Sequence, residues 1–305
     1  MGNRVKNALT IDVEDYFQVS AFEERISRDQ WASMAPRVEN NTQRLLALFA
    51  EKDAKATFFM LGWVAERFPG LVRQMVAEGH EIASHGMMHQ RASSQTEAEF
   101  RADIRDSKAM LEDLAGIEVM GYRAPSFSFT KQNLWVYNVL LEEGYRYSSS
   151  VYPVVHDHYG IPDAPRFRYQ PVEGVDEIPL STLTFFGKNM PISGGGYFRL
   201  YPYWLTRWMI RQFNTENASP YVFYLHPWEI DPEQPRMEGL STKTRFRHYL
   251  NLDKVEQRIR TMLQEFDWSS MADLYGYTPE VQEMPEVSDL NGSDDDSLKA
   301  ALRSG

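Results

Sequence analysis

The chain is predicted to be an α/β protein whose parallel strands form a closed or nearly closed barrel. Two observations carry this reading. Short apolar runs alternate with helix-period patterns from Leu9 to Phe266, and the number of repeats favours a barrel over an open sheet. The residues that end the apolar runs are polar and chemically coherent, as expected where parallel β/α folds gather their chemistry.

Leu9-Thr10-Ile11 reads as the first strand and Thr42 to Lys52 as the first helix, with Leu45, Leu46, Leu48 and Phe49 facing inward. Ala56 to Leu61 is the second strand, followed by a helix broken near Pro69 and a short strand ending at Ser84. The amphipathic stretch Thr96 to Leu114 leads to a strand before Arg123, and Lys131 to Glu143 leads to Tyr145-Arg146-Tyr147. Glu177 to Leu180 and Tyr221 to Leu225 read as later strands, with Trp204 to Phe213 and Leu252 to Phe266 as helices. From Tyr152 to Arg199, prolines, aromatics and Gly194-Gly195-Gly196 interrupt the rhythm, and this reads as an elaborated loop region beside the site. Residues 1–278 are read as one barrel domain with an extension from about residue 230, and 279–305 as an acidic, disordered tail.

With 305 residues and 43% hydrophobic content, the chain can bury a large core. A net charge of −11 argues against a broad footprint for nucleic acid or anionic membrane, so the expected partner is a small molecule or a neutral polymer. No cysteine occurs, so any metal must be held by nitrogen and oxygen ligands. No stretch resembling a signal peptide precedes Ala8 and no segment is long enough to span a bilayer, which predicts a cytoplasmic protein or one peripheral to the inner membrane.

In Ser84-His85-Gly86-Met87-Met88-His89, two imidazoles stand four residues apart directly after an apolar run. On a helical turn both rings would share one face, within reach of a single divalent ion. Strand one ends in Asp12-Val13-Glu14-Asp15, a later strand leads to Arg123-Ala124-Pro125, and a late one to Leu225-His226-Pro227. Each alone has an ordinary reading as a solvated turn, a surface ion pair or a packed histidine. Their joint occurrence at successive strand ends points to a site for hydrolysing an acyl bond. A metal on His85, His89 and an acid of the first cluster would lower the pKa of a water and polarise a carbonyl. A second carboxylate would act as base, a guanidinium would hold it ionised, and the remaining histidine would protonate the leaving amine.

The ordered motifs resemble the polysaccharide deacetylases with a NodB homology domain, carbohydrate esterase family 4. Thr10-Ile11-Asp12 is similar to the family's opening motif, His85 to His89 to its second, Arg123-Ala124-Pro125 to its third and Leu225-His226 to its fifth. The resemblance covers roughly residues 8 to 230 and gains its specificity from four motifs in order. Asp12-Val13-Glu14-Asp15-Tyr16-Phe17, Pro153 to Gly160 and Gly194 to Arg199 resemble a narrower group associated with exopolysaccharide biosynthesis and exosortase systems.

The resemblance implies a distorted (β/α)7 barrel and metal-dependent removal of N-acetyl groups from amino-sugar polymers, with zinc as the ion and cobalt or nickel as substitutes. It implies Asp12 as base, Arg123 as its partner, His85 and His89 as ligands and His226 as acid. Ser126 would contribute a backbone N–H to the oxyanion site. Pro125, Tyr197 and Trp228 are read as further substrate-binding positions, the two aromatics as candidates to line a sugar-stacking groove. Two departures stand out. Val13 replaces the second aspartate of the opening motif, so the metal carboxylate is Glu14 or Asp15; alternation puts Glu14 on the side of Asp12, and Asp15 reaches inward only if the chain turns. The family's fourth motif, whose aspartate orients the acid histidine, is not evident, because Tyr147 is followed by Ser148-Ser149-Ser150. Two other readings stand beside the deacetylase: a metal-independent amidohydrolase acting on a small cyclic amide or ureide, and a non-catalytic carbohydrate-binding protein. His80, His156, His158 and His248 are read as structural, with His156-Asp157-His158 the stretch best placed to touch substrate.

Overall fold

Strand β1 (Lys6–Val13) is buried from Asn7 onward and pairs in parallel with three other strands, which makes it the centre of the sheet. The computed structural model describes residues 5–156 and 159–280, so the expected tail lies, apart from its first residues, outside the described residues, as do Asp157 and His158. After β1, helix α1 (Val38–Ala50) leads to β2 (Thr57–Met60), and α2 (Gly62–Arg67) with α3 (Pro69–Ala77) leads to β3 (Glu81–Ser84). Helix α4 (Glu97–Ala115) leads to β4 (Gly121–Tyr122), and α5 (Val136–Glu142) to β5 (Tyr147–Ser148).

The second half supplies β6 (Tyr169–Val172), β7 (Val175–Glu177) and a separate hairpin of β8 (Thr182–Phe185) and β9 (Lys188–Pro191). Helices α6 (Gly195–Leu200) and α7 (Tyr203–Glu216) precede β10 (Val222–Leu225). Then come α8 (Thr242–Tyr249), α9 (Leu252–Glu265), β11 (Asp267–Ser269) and α10 (Met271–Tyr275).

The sheet runs β10-β1-β2-β3-β4-β5-β7-β6, with β11 also on β1; only β6 pairs antiparallel. The seven parallel strands from β10 to β7 form a distorted (β/α)7 barrel. No ladder joins β7 to β10. The chain after β7 spans that gap instead: Leu180 N–H donates to the Val151 carbonyl at 3.0 Å, and Ser181 Oγ accepts from Val222 N–H at 2.8 Å. This accounts for one difference from the sequence reading, since β7 ends at Glu177 and Ile178 to Leu180 continue as a bridging segment. The region 152–199, read as loop, contains four short strands and α6.

Period-2 alternation sorts the strand side chains. Leu9, Ile11, Phe58, Ile82, Phe223 and Leu225 join the large outer core under the helices. Ala8, Phe59, Ala83, Met120, Tyr147, Val222 and Tyr224 form a second cluster inside the barrel. Leu45, Leu46, Leu48 and Phe49 of α1 are buried, as its periodicity required. Among the described residues no helix is long and apolar enough to cross a membrane.

Candidate active site

The alternation that buries Leu9, Ile11 and Val13 under the helices turns Thr10 and Asp12 inward, and Glu14 follows on the same side. Asp12 is met by Arg123 at the end of β4: Nη1 donates to Asp12 Oδ1 at 2.6 Å and to Thr10 Oγ1 at 2.8 Å. Arg123 is fully buried, and its other groups donate to the Ser149 carbonyl at 3.0 Å and Ser149 Oγ at 2.9 Å. Its guanidinium lies 4.0 Å from the centroid of Phe59. Glu177 fixes the serine run by accepting from Ser150 and Val151 N–H at 2.8 and 2.9 Å. Where the resembled family carries its orienting aspartate, Ser149 therefore serves as a clamp for Arg123, and Ser150 Oγ accepts from Ala124 N–H at 2.9 Å.

Glu14, His85 and His89 are buried and present ligand atoms within 4.8 Å of one another. His85 Nδ1 lies 2.8 Å from the Arg123 carbonyl and can only donate to it, which leaves Nε2 as a lone-pair donor. Burial depresses the His85 pKa to about 4, so the ring is neutral. Glu14 Oε2 lies 2.7 Å from His89 Nε2 yet has no hydrogen-bond partner. A buried carboxylate oxygen without a donor beside two imidazoles suits a divalent cation, and an all-nitrogen and oxygen set suits zinc, cobalt or nickel. Burial works against ionised Glu14, but His89, His226 and His85 outweigh it and hold its pKa at about 2.

The histidine pair does not lie on a helical turn, contrary to the sequence reading. Gly86 and His89 both have positive φ, 77° and 51°, and a tight turn brings the ring centroids to 5.2 Å. A Cβ at Gly86 would stand 2.6 Å from Asp103 Oδ2, and Asp103 Oδ1 accepts from Met87 N–H at 3.2 Å. Arg28 secures the far side by donating to the carbonyls of Met88 at 2.6 Å and His89 at 3.0 Å. Asp103 and Arg28 had no signal in the local sequence.

Asp15 is not part of the cluster. Its Oδ2 accepts from Arg37 and Val38 N–H at 2.7 and 2.9 Å, at the start of α1, and Oδ1 accepts from Tyr16 N–H.

His226 continues the inward parity of Val222 and Tyr224 beyond β10. Its Nε2 lies 3.4 Å from Glu14 Oε1 and 3.9 Å from Asp12 Oδ2. Its Nδ1 is 3.0 Å from Glu229 Oε2, which also accepts from His226 N–H at 3.0 Å. Arg199 Nε donates to the other oxygen of Glu229 at 2.8 Å. Burial opposes protonation of His226, but Glu14, Glu229 and Asp12 raise its pKa to about 9. Burial likewise opposes ionised Glu229, yet Arg199 and His226 hold it at about 2.

These groups open onto a cavity of about 730 Å³ lined by Asp12, Glu14, His85, His89, His226 and Trp228, among others. Trp228 is stacked between His226, 5.2 Å away, and His248, 4.3 Å away. Ser126 also lines the cavity; it and Phe127 hold the left-handed conformation at φ 57° and 50°, unusual for residues other than glycine. Pro125 is buried behind this wall against Gly86, and Tyr197 is half-buried and stacked on Tyr201, so neither lines the cavity. His80 and His248 are buried, and His80 Nδ1 accepts from Ala56 N–H at 3.2 Å.

Residues 29–147 match the family profile described as polysaccharide deacetylase. That stretch, 119 of the 305 residues, is similar to the polysaccharide deacetylases. Residues 149–276 match a second profile, a domain of unknown function (DUF3473). The deacetylase match contains His85, His89 and Arg123, whereas His226, Glu229 and Arg199 fall in the second.

Among curated relatives, a peptidoglycan-N-acetylglucosamine deacetylase of Bacillus cereus is 42% identical over 71 residues, 23% of this chain and 33% of the relative. A chitooligosaccharide deacetylase of Sinorhizobium fredii is 48% identical over 48 residues, 16% of this chain and 22% of the relative. The chain spans about a third of the length of the first of these relatives. The fold is shared with a Mycobacterium smegmatis protein assigned as a polysaccharide deacetylase: TM-score 0.55, 20% identity, 93% of this chain and 99% of that one. It is also shared with an allantoinase: TM-score 0.54, 17% identity, 88% of each chain. These likenesses show the fold, a NodB-type (β/α)7 barrel.

Proposed function

We propose that the protein is a metal-dependent N-deacetylase acting on acetylated amino-sugar residues of an exopolysaccharide or its precursor. The observation that carries this reading is the buried Glu14, His85 and His89 cluster, flanked by Asp12 with Arg123 and by His226. The exopolysaccharide assignment rests on the resemblance of the opening, Pro153 to Gly160 and Gly194 to Arg199 segments to the narrower group. A divalent ion held by Glu14, His85 and His89 supplies Lewis acidity and eases deprotonation of water at neutral pH.

The chain's own groups perform the rest. Asp12, aimed by Arg123, takes a proton from the attacking water as the oxygen adds to the acetyl carbonyl carbon. Ser126, at the cavity wall, offers its backbone N–H to the oxygen that gains charge. His226, protonated at neutral pH, gives the Nε2 proton to the sugar nitrogen as the carbon–nitrogen bond breaks. Acetate and a free amino sugar result. Trp228, its two faces covered by His226 and His248, backs the acid histidine and does not offer a face to the sugar.

The test is acetate release from N-acetylglucosamine oligomers by the purified protein, before chelation, after it, and after zinc is returned. Activity lost and then restored supports the proposal. Activity indifferent to chelation replaces it with a metal-independent amidohydrolase, and sugar binding without acetate release replaces it with a carbohydrate-binding protein.

A further inference from the structure

We infer that Glu229, supported by Arg199 and Gly195, is the positioning residue of the acid histidine, so that the segment of unknown function completes the catalytic centre. The inference rests on the deacetylase reading.

The strand-end position of the orienting aspartate in the resembled family is occupied here by a serine run whose Ser149 grips Arg123. His226 instead finds its carboxylate three residues along its own chain, on the turn Pro227–Ile230. Glu229 Oε2 receives both Nδ1 and the backbone N–H of His226, two contacts that fix the ring plane and the tautomer. Nδ1 is thereby committed as a donor to Glu229, and the transferable proton resides on Nε2, the atom facing Asp12 and Glu14.

The surroundings of Glu229 are built for this placement. Glu229 is buried, with 1% of its surface exposed, and a carboxylate so enclosed requires full pairing. Arg199 supplies it through Nε at 2.8 Å, while Nη1 of Arg199 donates to the carbonyls of His248 at 2.7 Å and Leu250 at 3.2 Å. Gly195 supplies the space: a Cβ there would lie 1.8 Å from Glu229 Oε2. Gly194, at φ 99°, leaves room for the Tyr224 ring, which a Cβ would meet at 2.3 Å. Two glycines and the arginine of the Gly194 to Arg199 segment thus acquire separate physical reasons.

The role separates chemically from mere folding. An amine leaves only when protonated, whereas 4-nitrophenolate leaves without a proton. Glu229→Gln should lower kcat for N-acetyl hydrolysis by about 10²-fold with KM little changed, while 4-nitrophenyl acetate turnover falls far less. Gly195→Ala, which displaces the carboxylate without removing it, should shift the ratio in the same direction. In parallel, ¹⁵N NMR of the His226 imidazole should show a doubly protonated ring with Nδ1–H hydrogen-bonded to Glu229 in the parent and an altered or averaged Nδ1 signal in Glu229→Gln. Equal loss of ester and amide turnover, or unaltered amide turnover, overturns the proposal. If the parent hydrolyses neither substrate, the deacetylase reading fails, and the imidazole signal still decides: a change in the variant supports the positioning role and an unchanged signal overturns it.

Discussion

Which acid beside Asp12 would serve the proposed metal is a question of one residue's direction. Glu14 points at His89, and Asp15 receives the first amide groups of α1. Glu14→Gln should therefore weaken zinc binding by at least about 10-fold, because it removes a charged ligand. Asp15→Ala should leave zinc affinity near that of the parent and lower stability by about 1–2 kcal/mol through the lost N–H acceptors. Competition against a chromophoric chelator and urea unfolding measure the two effects. If Asp15→Ala also lost its zinc, the assignment of Glu14 would be wrong.

The element that sets the proposed metal site is the turn from Ser84 to His89, which depends on left-handed backbone at Gly86 and on the space beside Asp103. Gly86→Ala meets both constraints at once. It should destabilise the protein by about 1–3 kcal/mol and weaken zinc binding, since the histidines are carried by the same turn. Alanine at Gly116, where a Cβ meets nothing within 4 Å but φ is also positive at 68°, serves as the control for backbone strain alone. The control should lose stability and keep its zinc affinity; equal zinc loss in both variants would refute a role for the turn.

At the scale of the whole molecule, β1 is held by β2 from the deacetylase match and by β10 and β11 from the rest of the chain. A fragment ending at residue 148 keeps only one of these three parallel partners. It should show no cooperative thermal transition by circular dichroism, and a sharp transition would show that the first half folds alone.

Buried histidines give the molecule a second global property. His80 and His248, neutral through burial, have pKa values depressed from 6.5 to about 4 and about 3. Below about pH 6.5 the unfolded chain takes up protons that these folded rings refuse. Their contribution to stability is therefore complete above that pH and is lost as pH falls toward 4. The urea midpoint of the metal-free protein should drop between pH 7 and about pH 4.5, less steeply in a His80→Gln, His248→Gln double variant, where the carboxylate contributions are common to both. Parallel pH slopes in parent and variant would contradict this.

Sequence alone decided the α/β class, the strand order along the chain, and which residues stand at strand ends. Alternation and helix period are local properties, and they placed Asp12 inward, Val13 outward and Glu14 beside Asp12. The conjunction of Asp12, His85, His89, Arg123 and His226 was legible for the same reason: each ends or follows a strand whose inner face is readable. Tertiary structure decided what local pattern does not encode. The turn that joins His85 to His89, the diversion of Asp15 to α1, the serine clamp on Arg123 and the pairing of Glu229 with Arg199 each depend on atoms brought together by closure of the barrel. Glu229 lay only three residues from His226, but its neighbour Arg199 lay 30 residues away from it, and a buried carboxylate is explained only when the cation that faces it is in place.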